Sequence, residues 1–90
     1  RAGFAVVGTQ AVREAARRGE LKVVVVAEDA TENARKRLRA LLEQSDLEVV
    51  TIGTRGGLGR AVGRPEAVVV GIRDRGFGLR IVGEVRAITE

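Results

Sequence analysis

Leu21 to Ala27 contains four consecutive valines, Val23 to Val26, and this run limits the possible folds more than any other segment. β-Branched side chains favour strands. A strand with one wet face alternates apolar and polar residues, whereas an unbroken apolar run needs cover on both faces. The segment is therefore expected at the centre of a sheet with helices above and below it. A chain of 90 residues has room for one hydrophobic core, so its other segments must supply that cover within a single domain.

The rest of the chain reads as alternating strands and helices. Phe4 to Val7 is a short apolar run ended by Gly8, and Val12, Ala15 and Ala16 then recur at helical spacing up to Gly19. Thr9 is the expected cap of that helix, Gly19 its stop, and Arg13, Arg17 and Arg18 lie on its polar side. Asp29 with Glu32 three residues later resembles a capping box, followed by an apolar stripe of Ala34, Leu38, Leu41 and Leu42. Arg35, Lys36, Arg37 and Arg39 occupy the other faces of that helix.

Leu47 to Ile52 is a third strand, and Thr54 is placed to cap a short helix with Leu58, Ala61 and Val62 before Gly63. Arg64 and Pro65 force a turn, and Ala67 to Ile72 forms a fourth strand. Asp74 is the expected cap of a last helix in which Phe77, Ile81, Val82 and Val85 share a side, although Gly76, Gly78 and Gly83 lower its intrinsic propensity. The order β-α-β-α-β-α-β-α predicts a mixed or mostly parallel four-stranded sheet between helices, an α/β fold.

The absence of Cys and His removes disulfides, thiolate nucleophiles, zinc centres of the usual kind and imidazole acid–base chemistry. No cofactor and no enzymatic activity are expected. With Phe4 and Phe77 as the only aromatic residues, stacking of bases on a sheet platform is not expected either. Lys and Arg number 16 against 12 acidic residues, a net charge of +4, and 14 of the 16 are Arg. Arginine's planar fork suits phosphate and guanine edges, so an anionic partner is expected. The longest apolar run is too short to cross a bilayer and no signal peptide opens the chain, which predicts a cytoplasmic protein.

Three constellations carry chemical possibilities. The glycine cluster from Gly53 to Gly63 lies between a strand and a helix, where a phosphate-cradling loop would lie, and Asp74 follows at the end of the next strand. Against a nucleotide site, Gly63 and Pro65 stop that helix after about two turns and no Walker pattern is present. Glu28 and Asp29 end the central strand where open sheets can place catalytic carboxylates, but helix capping by Asp29 explains the pair without chemistry. Thr9, Gln10 and Arg13, then Thr31 and Arg35, then Thr54 and Arg55 stand at helix starts. In an alternating α/β chain such starts can gather on one edge, where free amides and Arg together attract phosphate.

Four stretches together resemble the ribosomal-protein superfamily typified by L7Ae and L30e, which binds kink-turn RNA, and within it the small bacterial YlxQ-like branch. They are Gly8 to Gly19, Val26 to Asn33, Leu58 to Gly63 and Asp74 to Gly78. The resemblance implies a three-layer α/β/α domain that grips RNA with a helix start and a nearby loop. It places the family glycine at Gly8, a small residue at Thr9, and the readers of tandem G·A pairs at Gln10 and Ala11. The family's Lys falls on Glu14, and Ala11 has no side chain that could accept a hydrogen bond from a base. Further family contacts map onto Arg18, Arg55 and the loop Arg64-Pro65-Glu66. It also implies a helix before the motif, of which Arg1 to Gly3 would be a remnant.

The sequence therefore predicts a monomeric, non-catalytic RNA-binding protein of the ribosome or translation apparatus. Gly8, Thr9, Gln10, Arg13, Arg18, Thr31, Arg55, Arg64, Pro65 and Glu66 are its candidate RNA contacts. Kink-turn or ribosomal RNA is the expected partner, with ribosomal or translation proteins as further candidates. A protein-interaction adaptor on the same fold, and a nucleotide-binding domain, remain open as alternatives.

Overall fold

Four valines in succession put two side chains on each face of a strand, and both faces must then be covered. In a computed structural model, which describes residues 5–43 and 47–89 (backbone only at 41, 42, 75, 77 and 87–89), this condition organises the molecule. The elements are β1 (Ala5–Val7), α1 (Thr9–Arg17), β2 (Val23–Val26), α2 (Glu32–Leu42), β3 (Glu48–Thr51), α3 (Arg55–Ala61), β4 (Val69–Ile72) and α4 (Arg75–Thr89). Their order is the predicted alternation. The strands form one mixed sheet in the order β1-β4-β2-β3. β4 runs antiparallel to both β1 and β2, and β3 runs parallel to β2.

The valine run is divided between two cores. Val23 and Val25 join Val70, Ile72, Ile52, Leu58, Ile81 and Val85 on the side covered by α3 and α4. Val24 and Val26 join Val69, Val12, Ala15 and Leu38 on the side covered by α1 and α2. All four valines are buried, and register pairs Val25 with Val70 and Val26 with Val69 across the two interior strands. Burial of each such side chain contributes about 1.5–3 kcal/mol. The result is a three-layer α/β/α sandwich on a mixed sheet.

Two glycines set how closely the helices approach. A methyl group at Gly71 would lie 2.6 Å from Leu21 Cδ1 and 3.3 Å from Val12 Cγ2, so its absence lets α1 and the segment after it settle on β4. One at Gly78 would lie 3.2 Å from Val23 Cγ2. Gly78 therefore costs helix propensity but brings α4 down onto the sheet, and the helix runs 15 residues in spite of its three glycines.

Several local expectations are corrected. Thr9 is not the cap of α1; Gly8 holds that position at φ +103°, a value that favours glycine, and Thr9 is the first helical residue. Gly19, at φ +72°, ends the helix as expected. Asp29 does not cap α2, because Thr31 stands next to the helix and its Oγ1 accepts from the Ala34 amide at 3.2 Å. Thr54 caps α3 as predicted, accepting from the Gly57 amide at 3.0 Å. Asp74 immediately precedes α4, and its carbonyl accepts from the Gly78 amide at 2.9 Å. The strands are shorter than their apolar runs, since Leu21, Ala27 and Ala67 are buried beyond the sheet's ladder. Phe4 lies outside the described residues, as do the side chains of Leu41, Leu42 and Phe77.

Leu58 is fully buried in the α3/α4 core, so Leu58→Ala should remove about 2–5 kcal/mol of stability. Urea denaturation should show a lower midpoint with an unchanged m-value.

Candidate nucleic-acid interface

Strand direction decides which helix starts meet. Because β1 and β2 both oppose β4, and β3 follows β2, the carboxyl ends of β1, β2 and β3 share one edge of the sheet. α1, α2 and α3 all begin there, and the α3–β4 loop returns to the same edge. β4 ends at the opposite edge, where α4 starts.

Backbone hydrogen bonds tie the segments of this edge together. Gly8 N–H donates to the Val69 carbonyl at 3.0 Å, Ala27 N–H to Val68 at 2.8 Å, and Glu28 N–H to Gly53 at 2.7 Å. Ala67 N–H donates to the Arg55 carbonyl at 2.9 Å. Asp29 adds side-chain links: Oδ1 accepts from the Arg55 amide at 2.9 Å, and Oδ2 lies 3.6 Å from Arg55 Nε. The same guanidinium reaches Glu66 Oε1 at 3.8 Å, across the loop. Arg35 Nη2 donates to the Glu28 carbonyl.

The three helix starts differ in what they leave open. The Arg55 and Gly57 amides of α3 are taken by Asp29 and Thr54, and the Leu58 amide by the Thr54 carbonyl. α2 is capped by Thr31. α1 has no side-chain cap and no acidic residue in its first turn, since Gly8 has no side chain to offer. Its first amides, with the positive end of the helix dipole, therefore face the edge uncapped by any side chain among the described residues.

Of the predicted contacts, Gly8, Thr9, Gln10, Thr31, Arg55, Arg64, Pro65 and Glu66 lie on this edge, and Arg13 lies one turn along α1. Gln10, Arg13, Thr31, Arg55, Arg64, Pro65 and Glu66 are exposed, whereas Gly8 and Thr9 are half-buried. Arg18 does not join them. It follows the far end of α1, about 14 Å along the axis from Thr9 at 1.5 Å per residue. There it approaches Glu20 at 4.0 Å, and Glu20 also meets Arg73 at 3.3 Å. Ala11 is half-buried and Glu14 exposed.

The glycine cluster has a packing explanation. Gly57 and Gly59 are buried in α3, and a methyl group at Gly59 would come within 2.7 Å of the Glu66 backbone. Arg64 N–H donates to the Gly59 carbonyl at 2.7 Å. Glycine here lets the Arg64-Pro65-Glu66 loop fold back onto α3, and the Arg55, Gly57 and Leu58 amides at the start of α3 already have acceptors. Sequence reasoning missed two positioning residues: Gly59 under the loop, and Asp29 as the acceptor for α3. Asp29 and Arg55 are 26 positions apart, so no local spacing announces their contact.

Among the described residues no group of three or more His, Cys, Asp or Glu is arranged to hold a metal ion. Among the described residues no helix is long and apolar enough to cross a membrane. Asp29→Ala should cost about 1–2 kcal/mol, the range for loss of a helix cap. Amide hydrogen exchange should show Arg55 losing protection before the β2 amides do.

Comparison with known proteins extends this geometry. The chain is 29% identical over 82 residues to the RNA-binding protein YlxQ of Bacillus subtilis, covering 91% of this chain and 82% of that protein. Its fold matches a solved protein of unknown function from Bacillus halodurans, with a TM-score of 0.81 at 30% identity, over 96% of this chain and 87% of the other. A 15.5 kD RNA-binding protein of Giardia lamblia shares the fold, with a TM-score of 0.70 at 21% identity, over 98% of this chain and 75% of the other. The model of the ribosomal protein L7Ae/L30e/S12e/Gadd45 family matches residues 1–80. The chain belongs to that family.

Proposed function

We propose that this chain is a non-catalytic RNA-binding protein that works with the ribosome or the translation apparatus. One observation carries the reading. A helix start with neither a side-chain cap nor a first-turn acid sits on the same edge as Arg13, Arg55 and the exposed Arg64 loop. Free amides and arginines converge on one surface there, which suits phosphate. Support comes from the family and from two relatives described as RNA-binding, YlxQ and the Giardia lamblia protein.

On this reading the α1 start and Arg13 position the phosphates, while Gln10 and the Arg64-Pro65-Glu66 loop touch base edges. Thr31 contributes a hydroxyl from the neighbouring helix start. Arg55 has a double role. Held between Asp29 and Glu66, it fixes the loop, and with its side chain 44% exposed it keeps a face open to a phosphate. Kink-turn RNA and ribosomal RNA are the proposed ligands, bound by a monomer in the cytoplasm. With Ala11 in one of the two reading positions and Glu14 where the family has Lys, contacts to tandem G·A pairs rest on Gln10, so discrimination between RNAs is shallower than affinity.

A titration with a kink-turn RNA and a straight duplex over a salt series tests this. Affinity should fall steeply with salt for both, with a preference for the kink-turn. Arg13→Glu should flatten the salt dependence by about one phosphate contact, and Arg64→Glu should narrow the preference for the kink-turn. Arg18→Glu, at the opposite edge, should leave affinity nearly unchanged. Failure to bind either RNA would overturn the proposal in favour of a protein-interaction adaptor on the same fold.

A further inference from the structure

The sheet has an open border away from the helix-start edge. Among the described residues β3 is an end strand, paired with β2 alone. Glu48 N–H and Ile52 N–H donate to the Lys22 and Val26 carbonyls, at 3.4 and 2.9 Å, so in a parallel ladder the amides of Val49 and Thr51 point outward. Beside this border, between α2 and the sheet, lies a cleft of about 310 Å³. Val26, Leu38 and Val49 give it an apolar floor, and Val49 remains 44% exposed. Arg35 and Arg39 stand on its α2 wall, with Glu43 as the one acid among its described lining residues. Arg35 Nε is buried and has no hydrogen-bond acceptor.

Each of these features is a cost to the isolated molecule. An open strand border invites another strand, an exposed valine wastes burial, and a buried guanidinium N–H without an acceptor among the described residues is destabilising. One type of occupant would relieve the first two and set an opposite charge beside Arg35 and Arg39. We propose that β3 takes up an extended acidic segment of a partner protein, added as a further strand. Its backbone bonds to the outward groups of Val49 and Thr51, an apolar side chain covers Val49, and a carboxylate two residues away meets Arg35 and Arg39. Added strands bind in this way, with backbone bonds giving affinity and alternate side chains giving selectivity. The charge of the site selects the occupant. Arg35, Lys36, Arg37 and Arg39 crowd α2, so a second copy of this chain would bring like charges together, whereas a carboxylate is complementary.

The test uses amide NMR on the full chain with a capped Val-Thr-Asp-Thr-Val-Thr-Asp peptide, which presents valine and aspartate on one face of a strand. Millimolar peptide should shift the Val49 and Thr51 amides and slow their exchange with solvent by about tenfold. The same peptide with Lys for Asp should have no such effect. Val49→Lys and Arg39→Glu both change exposed positions, and each should abolish the response while preserving the dispersed spectrum of the fold. No shift with the acidic peptide, equal shifts with the lysine version, or prior protection of these amides that grows with protein concentration would overturn the proposal. So would the same shifts on adding duplex RNA, which would assign the cleft to nucleic acid.

Discussion

The packing of β2 is the constraint on which the remaining structure depends. Val23 to Val26 cannot be left in water on either face, so the strand must lie inside the sheet and each face must receive a helical layer. Odd and even valines then seed separate cores, one under α3 and α4, the other under α1 and α2. Close approach of those layers is possible because Gly71 and Gly78 leave room where the helices come down. A fold nearly free of aromatic residues reaches full burial by bringing small residues close together.

The same packing builds the edge where the helix starts gather. Insertion of β4 between β1 and β2, antiparallel to both, turns the carboxyl ends of three strands to one side. Three helices must start there. Two of the starts are closed by Thr31, Thr54 and Asp29, and the third is opened by glycine at the position of its cap. Glycine at 59 brings the Arg64 loop over the same surface, and the Asp29–Arg55–Glu66 contacts hold it there. Electrostatic focus at this edge is thus a product of capping chemistry as much as of arginine count, because an uncapped helix start keeps its amides available. Arg18 lies at the other end of α1, beside Glu20 and away from this edge.

Elements were legible wherever one local rule decided them. The valine run, the Gly19 stop, the Thr54 cap and the alternation of strands with helices all follow from residues within one turn of each other. Reading was less successful where a contact spans the chain. Asp29 looks like the cap of the helix that follows it, yet its carboxylate serves α3 through Arg55. The glycines of α3 and α4 look like breakers or a phosphate loop, yet two of them, Gly59 and Gly78, are contact points for distant backbone and side chains.

From its sequence alone, this chain determined that it would be an α/β sandwich around a buried valine strand, with arginine as its main charge and no His or Cys chemistry. Hydrophobic period, composition and cap residues are local properties, and they suffice for that. Tertiary structure alone decided the order and direction of the strands, and with them which helix starts face outward together. It also decided that Arg18 stands apart, that Asp29 serves α3, and that β3 is left with an open border. These depend on pairings between residues tens of positions apart, whose free energy exists only once the sheet has closed.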